Sequence, residues 1–186
     1  MHRRIPVALA ATAALGVSAL AIGPAIAAPA HSAAAKKNSI VIRDGQTYKP
    51  GFYARFNLRF TPFKQTVRKG AAVTLTRKDV RSGEPHSLSF VKKSQLPKTN
   101  KAIDKCSKPA AVCLKLAIAH QFDPKTGNVA KPVVDVNKPG VDGPGDSFYI
   151  APTDKKLSFK ITAKKGKTLY YMCAIHPWMQ GSIKVR

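Results

Sequence analysis

From Ile40 onward, apolar and polar side chains alternate in short runs. That period of two places successive side chains on opposite faces of a strand. The runs are NSIVIRDG, AVTLTR, HSLSFV, KLSFKITA, KTLYYMC and GSIKVR, all rich in β-branched or aromatic residues and punctuated by Gly, Pro, Asn and Asp. Each acquires one inward face: Val73 with Leu75; Leu157, Phe159 and Ile161; Leu169, Tyr171 and Cys173; Ile183 with Val185. On the same count His86 shares a face with Leu88 and Phe90. The pattern predicts an all-β chain folded as a Greek-key β-sandwich. No internal repeat is visible.

One segment breaks the pattern. Between HSLSFVKK and the strand-like DSFYIAP lie residues 94–145, too long for an ordinary link between two strands of a small sandwich. Its first part, KCSKPAAVCLKLAIAHQF, has weak helical spacing, and the rest is turn-rich. A partly helical insertion is therefore expected here. Both Cys106 and Cys113 fall inside it, and in an exported chain a disulfide is the simplest reading. Closing so short a loop contributes roughly 2–3 kcal/mol in the chain-entropy picture. The competing reading is a second metal site made from these cysteines and His120.

Export is expected from the first thirty positions of the 186-residue chain. MHRR is a short positive start, followed by a long uncharged, alanine-rich run and small-residue cleavage options at Ala25-Ile26-Ala27 or Ala28-Pro29-Ala30. This is the order of a signal peptide over residues 1–30, leaving one domain over 31–186. A retained membrane anchor is the alternative, weakened by Pro6, Gly16, Gly23 and Pro24. Arg3-Arg4 leaves open whether a twin-arginine route is used. The expected location is periplasmic, cell-envelope associated or extracellular.

Charge adds a constraint on partners. The chain carries 32 basic and 9 acidic residues, for a net charge of +23. Loss of Arg3 and Arg4 with the leader leaves 30 against 9, about +21. Such a surface favours anionic partners, either an acidic redox protein or the polyanions of a cell envelope. The lysines fall in scattered pairs without interleaved aromatics, and no nucleic-acid motif is present, so specific nucleic-acid binding is not expected. The domain is expected to be monomeric.

The chemistry concentrates in YYMCAIHPWMQG. Pairing Cys106 with Cys113 leaves Cys173 over, and a free thiol in an oxidising compartment is a liability unless buried or bound. Cys173, His176 and Met179 follow a C-x2-H-x2-M spacing between two strands, where a turn brings all three toward one point. A thiolate, an imidazole and a thioether form a soft set suited to copper. A trigonal blue-copper site needs one more histidine, and His86, inward-facing at the start of its strand, is the candidate. His2 and His31 lie in or beside the leader, and His120 in the insertion.

With these residues the chain resembles the cupredoxins, and among them the amicyanin and plastocyanin-like proteins. The matching pieces are VRKGAAVTLT, PHSLSF and GKTLYYMCAIHPWMQGSIKV, spanning roughly Asn38 to Val91 and Gly145 to Arg186. The resemblance implies one type 1 copper per chain, held by His86, Cys173, His176 and Met179, with the edge of His176 partly exposed for electron transfer. Pro177 and Trp178 then form an apolar docking patch, or Trp178 simply packs over the end of the sandwich. Two features depart from the family pattern: the insertion, and Arg77 where an asparagine usually ties the two ligand segments together.

The leading expectation is a one-electron carrier. Copper delivery, storage or sensing through the same ligands is the alternative, although no Met- or His-rich tail accompanies the site. Multicopper-enzyme chemistry needs more histidines than the 5 present, and a Cys173–His176 nucleophile leaves His86 and Met179 without a role. No enzyme activity is expected.

Overall fold

The computed structural model describes residues 38–43, 45–78 and 83–186. The expected signal peptide, residues 1–30, lies outside the described residues, as do His2 and His31. Among the described residues no helix is long and apolar enough to cross a membrane.

Two sheets make a sandwich. The first contains β1 (Ser39–Arg43), β4 (Arg59–Thr61), β6 (Ala72–Arg77) and β10 (Lys156–Lys160), in the order β10-β6-β1-β4. The second contains β5 (Lys64–Val67), β7 (His86–Val91), β8 (Val133–Val134), β9 (Ser147–Ile150), β11 (Thr168–Met172) and β12 (Gln180–Val185), in the order β5-β12-β11-β7-β9-β8. A separate hairpin joins β2 (Gln46–Lys49) to β3 (Tyr53–Phe56). The pairings β1–β6 and β5–β12 are parallel and the rest antiparallel. The chain crosses repeatedly from one sheet to the other, as Greek-key connections do.

All six runs read as strands form strands, and their inward faces meet in one core. Ile40, Ile42, Val73, Leu75, Leu88, Ile150, Ile161, Tyr171 and Ile183 are completely enclosed. Phe60 and Phe90 set their edges against the Tyr171 ring, with centroids 5.4 and 5.9 Å away. Gly181 lies opposite Tyr171 in the β11–β12 ladder, where a Cβ would overlap both the Tyr171 ring and the Phe63 carbonyl. Only glycine allows that approach.

Simple alternation fails at β7, where all six residues are buried. The reason is the insertion. It forms a 3-10 turn at Lys93–Gln95, α1 (Asn100–Lys105) and α2 (Val112–Ala119), then returns through β8 to the edge of the second sheet. Thr99 caps α1 by accepting a hydrogen bond from the Ala102 amide. Cys106 and Cys113 form a disulfide, so these two cysteines do not join His120 in a metal site. Cys106, Cys113 and Leu116 pack with Val91 and Met172, the residues that alternation points away from the main core. The second sheet is thus covered on both faces at β7 and the end of β11. The return path is organised by buried Asp146, whose carboxylate accepts from the amides of Val136, Asp142 and Gly143.

Candidate metal centre

Two strand ends at the same end of the second sheet bring the predicted donors together. His86 begins β7 on its inward face and is fully buried, while Cys173 follows the last residue of β11. The segment from Cys173 to Met179 closes as a tight turn. The Cys173 amide donates to the Met179 carbonyl at 3.0 Å, and the Met179 amide donates to the His176 carbonyl at 2.8 Å. This turn folds His176 back over His86. Their ring centroids are 4.9 Å apart and their Nδ1 atoms 3.2 Å apart. Cys173 Sγ lies 3.7 Å from His176 Nδ1. One donor atom from each of His86, Cys173 and His176 falls within 4.8 Å of the others, and all three residues are buried. Met179 is buried in the same apolar cluster as Cys173.

The local electrostatics fit a soft cation. Burial pushes the Cys173 thiol up from its ordinary range, opposed by hydrogen bonds from the amides of Ser87, His176 and Ile175. Without a neighbouring cation, that enclosure favours the neutral thiol; a bound metal reverses the balance and holds a thiolate. The tautomer of His176 is set from outside: its Nε2 lies 2.8 Å from a Glu84 carboxylate oxygen, so Nε2–H donates and Nδ1 keeps its lone pair. That lone pair faces both Cys173 Sγ and His86 Nδ1. Two imidazoles and a thiol facing inward, with a buried thioether in the same turn, form the soft mixed donor set that suits copper.

Ser87 stitches the two ligand segments together, a role the sequence reading left with the position of Arg77. The Ser87 amide donates to Cys173 Sγ at 3.3 Å, and its hydroxyl accepts from the Ala174 amide at 2.8 Å. Arg77 instead donates through Nη1 to the Ala151 carbonyl at 2.6 Å, securing the segment after β9. A second stitch comes from Gln180, whose amide donates to the carbonyls of Pro97 and Pro177 at 2.8 Å each, joining the ligand turn to the start of the insertion. Sequence reasoning missed Ser87, Glu84 and Gln180. The available signal was position: Ser87 follows a ligand candidate, and Glu84 lies two residues before it.

His120 is not part of the cluster. Its Nδ1 lies 2.7 Å from the Lys131 carbonyl and its Nε2 2.7 Å from Ser147 Oγ. Trp178 is half-exposed and meets the His176 ring edge-on, with centroids 5.2 Å apart. Pro177 beside it is buried.

No protein-family model and no curated protein matches the chain. Among solved structures it is similar to a purple cupredoxin from Nitrosopumilus maritimus, at 17% identity over 81% of this chain and 100% of that one, with a TM-score of 0.35. It is also similar to plastocyanin from Dryopteris crassirhizoma (16% identity, 80% and 99% covered, TM-score 0.38) and to amicyanin from Paracoccus versutus (13% identity, 82% and 83% covered, TM-score 0.38). Superpositions this loose add nothing to what the strand order and the donor cluster show by themselves. The two-sheet β-sandwich, with His86, Cys173 and His176 converging at one end and Met179 buried in the same turn, is the architecture that the chain's resemblance to the cupredoxins implies.

Proposed function

We propose that the chain is an exported one-electron carrier that holds one type 1 copper through His86, Cys173, His176 and Met179. The observation that carries this reading is the buried convergence of His86, Cys173 and His176, whose donor atoms lie within 4.8 Å of one another. Bound copper would supply the Cu(II)/Cu(I) couple, giving or taking one electron. The chain's own residues do the rest. Cys173 as a thiolate, the imidazoles of His86 and His176, and the thioether of Met179 would hold the copper as a soft mixed donor set. Donors fixed by two strands and by the Ser87 stitches need little rearrangement when the charge at their centre changes.

His176, in contact with half-exposed Trp178 and next to exposed Ile175, is the route to the surface. That apolar patch on a strongly basic chain suits a redox partner with an acidic docking face. The basic surface also suits contact with an anionic cell envelope. The leader-like sequence over residues 1–30 supports export.

The test is to add Cu(II) to purified residues 31–186 and record the visible spectrum and the metal content. One copper per chain with an intense thiolate-to-copper band, absent in Cys173→Ser, is expected. A colourless protein that holds zinc tightly would sink the carrier reading, and loss of copper within minutes without electron exchange would favour delivery.

A further inference from the structure

We infer that His120, from the insertion, is a positioning residue for the metal-binding turn, acting on the Ala174 amide through three buried serine hydroxyls. The inference rests on the reading of that turn as a metal site, but its geometry stands apart from any metal. His120 is 4% exposed, and Ser87, Ser89 and Ser147 are 3%, 0% and 0% exposed. The contacts form one unbroken line. It runs from the Lys131 carbonyl to His120 Nδ1 at 2.7 Å, and from Nε2 to Ser147 at 2.7 Å. From Ser147 it continues to Ser89 at 2.6 Å, to Ser87 at 2.9 Å and to the Ala174 amide at 2.8 Å.

The His120 end, with its ring neutral, sets one direction for this line, and the Ala174 end accommodates it. A carbonyl can only accept, so His120 carries its proton on Nδ1 and offers a lone pair at Nε2. Ser147 then donates to Nε2 and accepts from Ser89, and Ser89 accepts from Ser87. Ser87, its proton committed, presents a lone pair to the Ala174 amide, which can only donate. No hydroxyl is left to choose its rotamer. Each bond polarises the next among side chains that are nearly fully buried.

The line ends where it matters. Ala174 follows Cys173, and Ser87 follows His86 while its own amide donates to Cys173 Sγ. At the other end, His120 caps α2, which the Cys106–Cys113 disulfide ties to the end of α1. The insertion therefore holds the two ligand segments in register through the outer face of β7, the face that alternation alone leaves to solvent.

The experiment compares the full chain with His120→Phe, which keeps a ring but removes both ring nitrogens, and His120→Gln, which restores a donor and an acceptor. Ser89→Ala cuts the line without touching the insertion and serves if His120→Phe fails to fold. In the metal-free chain, NMR-detected amide exchange at Ala174 is expected to rise about five- to tenfold in His120→Phe and in Ser89→Ala, the scale of one modest hydrogen bond. His120→Gln returns most of that protection, while amides of β1 and β6 stay unchanged. In the copper-loaded chain, the same two cuts shift the thiolate-to-copper band and the reduction potential, and His120→Gln restores both. Unchanged Ala174 exchange, equal effects of Phe and Gln, or uniform acceleration across both sheets would each overturn the inference. A wild-type chain that takes up no copper, yet loses Ala174 protection in the cut variants, sinks the metal reading and leaves the positioning line standing.

Discussion

Glu84 accepts a hydrogen bond from His176 Nε2 at 2.8 Å, so the imidazole that faces Cys173 through Nδ1 is held from behind by a carboxylate. A carboxylate at the far nitrogen makes the near one a stronger base and fixes the ring's orientation. Stronger donation favours the more highly charged metal ion and lowers the reduction potential. Glu84→Gln keeps a hydrogen-bond acceptor but removes the charge. The potential is expected to rise by roughly 20–60 mV, where about 59 mV corresponds to a tenfold change in relative affinity for the two oxidation states. Redox titration of the copper-loaded variant checks this; an unchanged or lowered potential contradicts the role given to Glu84.

Gly181 and Tyr171 make a packing prediction independent of any metal. The Tyr171 ring occupies the space a Cβ at position 181 would need, and the Phe63 carbonyl closes it from the other side. Gly181→Ala must push aside a fully buried ring that also packs against Phe60 and Phe90. Overpacking of this kind costs about 1–3 kcal/mol. Urea unfolding of the metal-free chain should show that loss as a lower midpoint with an unchanged slope.

The strands of the core were legible because they depend on local spacing, and the cluster of His86, Cys173 and His176 because its donor chemistry asks for a second histidine on an inward strand face. Period-two alternation placed Val73, Leu75, Leu88 and Tyr171 inside, and the same count put His86 inside at the end of its strand. The C-x2-H-x2-M spacing fits one tight turn, which the backbone bonds between Cys173, His176 and Met179 close. What escaped was contact between distant segments. The strands over 46–67 are short, and several carry polar or charged residues that blur the alternation. Ser87 and Ser89 read as a solvent-facing row because nothing local reveals that α2 and His120 will cover them. Likewise, the structure gives the stitching role to Ser87, next to His86, while Arg77 reaches the Ala151 carbonyl.

Burial of His120 sets a sign for pH dependence. Desolvation lowers its pKa from 6.5; the bond to the Lys131 carbonyl opposes this, and the Lys131 charge adds to the lowering. The Tyr149 ring, 6.3 Å away, packs against it. Between 6.5 and the lowered folded value, the unfolded chain binds a proton there and the folded chain does not. Stability from this group is therefore full above pH 6.5 and falls as the pH drops through that window, by at most about 1.4 kcal/mol per pH unit. Unfolding free energies at pH 7 and pH 5 should differ more for the metal-free wild type than for His120→Gln. Equal differences would mean that His120 does not titrate this way.

The disulfide pins a small core of its own. Cys106 and Cys113 are both buried with Leu116 against Val91 and Met172, on the outer face of the second sheet. Replacing both cysteines by serine releases the short loop between them and is expected to cost roughly 2–3 kcal/mol. Because Met172 directly precedes Cys173, the variant should also lose metal faster than wild type, measured as copper transfer to a chelator. Loss of stability with an unchanged transfer rate would separate the insertion's core from the metal turn.

On the proposed carrier function, Trp178 marks where electrons would leave. Its ring touches His176 edge-on, and it is half-exposed beside exposed Ile175, so two copies meeting at this patch bring their His176 rings close. Electron self-exchange between reduced and oxidised chains, read from NMR line broadening, should fall about tenfold in Trp178→Ala, the scale of losing one aromatic contact. The thiolate-to-copper band stays in place, since Trp178 supplies no metal donor. Both copies are strongly basic, so their repulsion is long-ranged at low salt. Screening shortens from about 10 Å at 0.1 M to about 3 Å at 1 M, so added salt should speed exchange in wild type and variant alike. A Trp178→Ala rate equal to wild type at every salt concentration would place the docking face elsewhere on the sandwich.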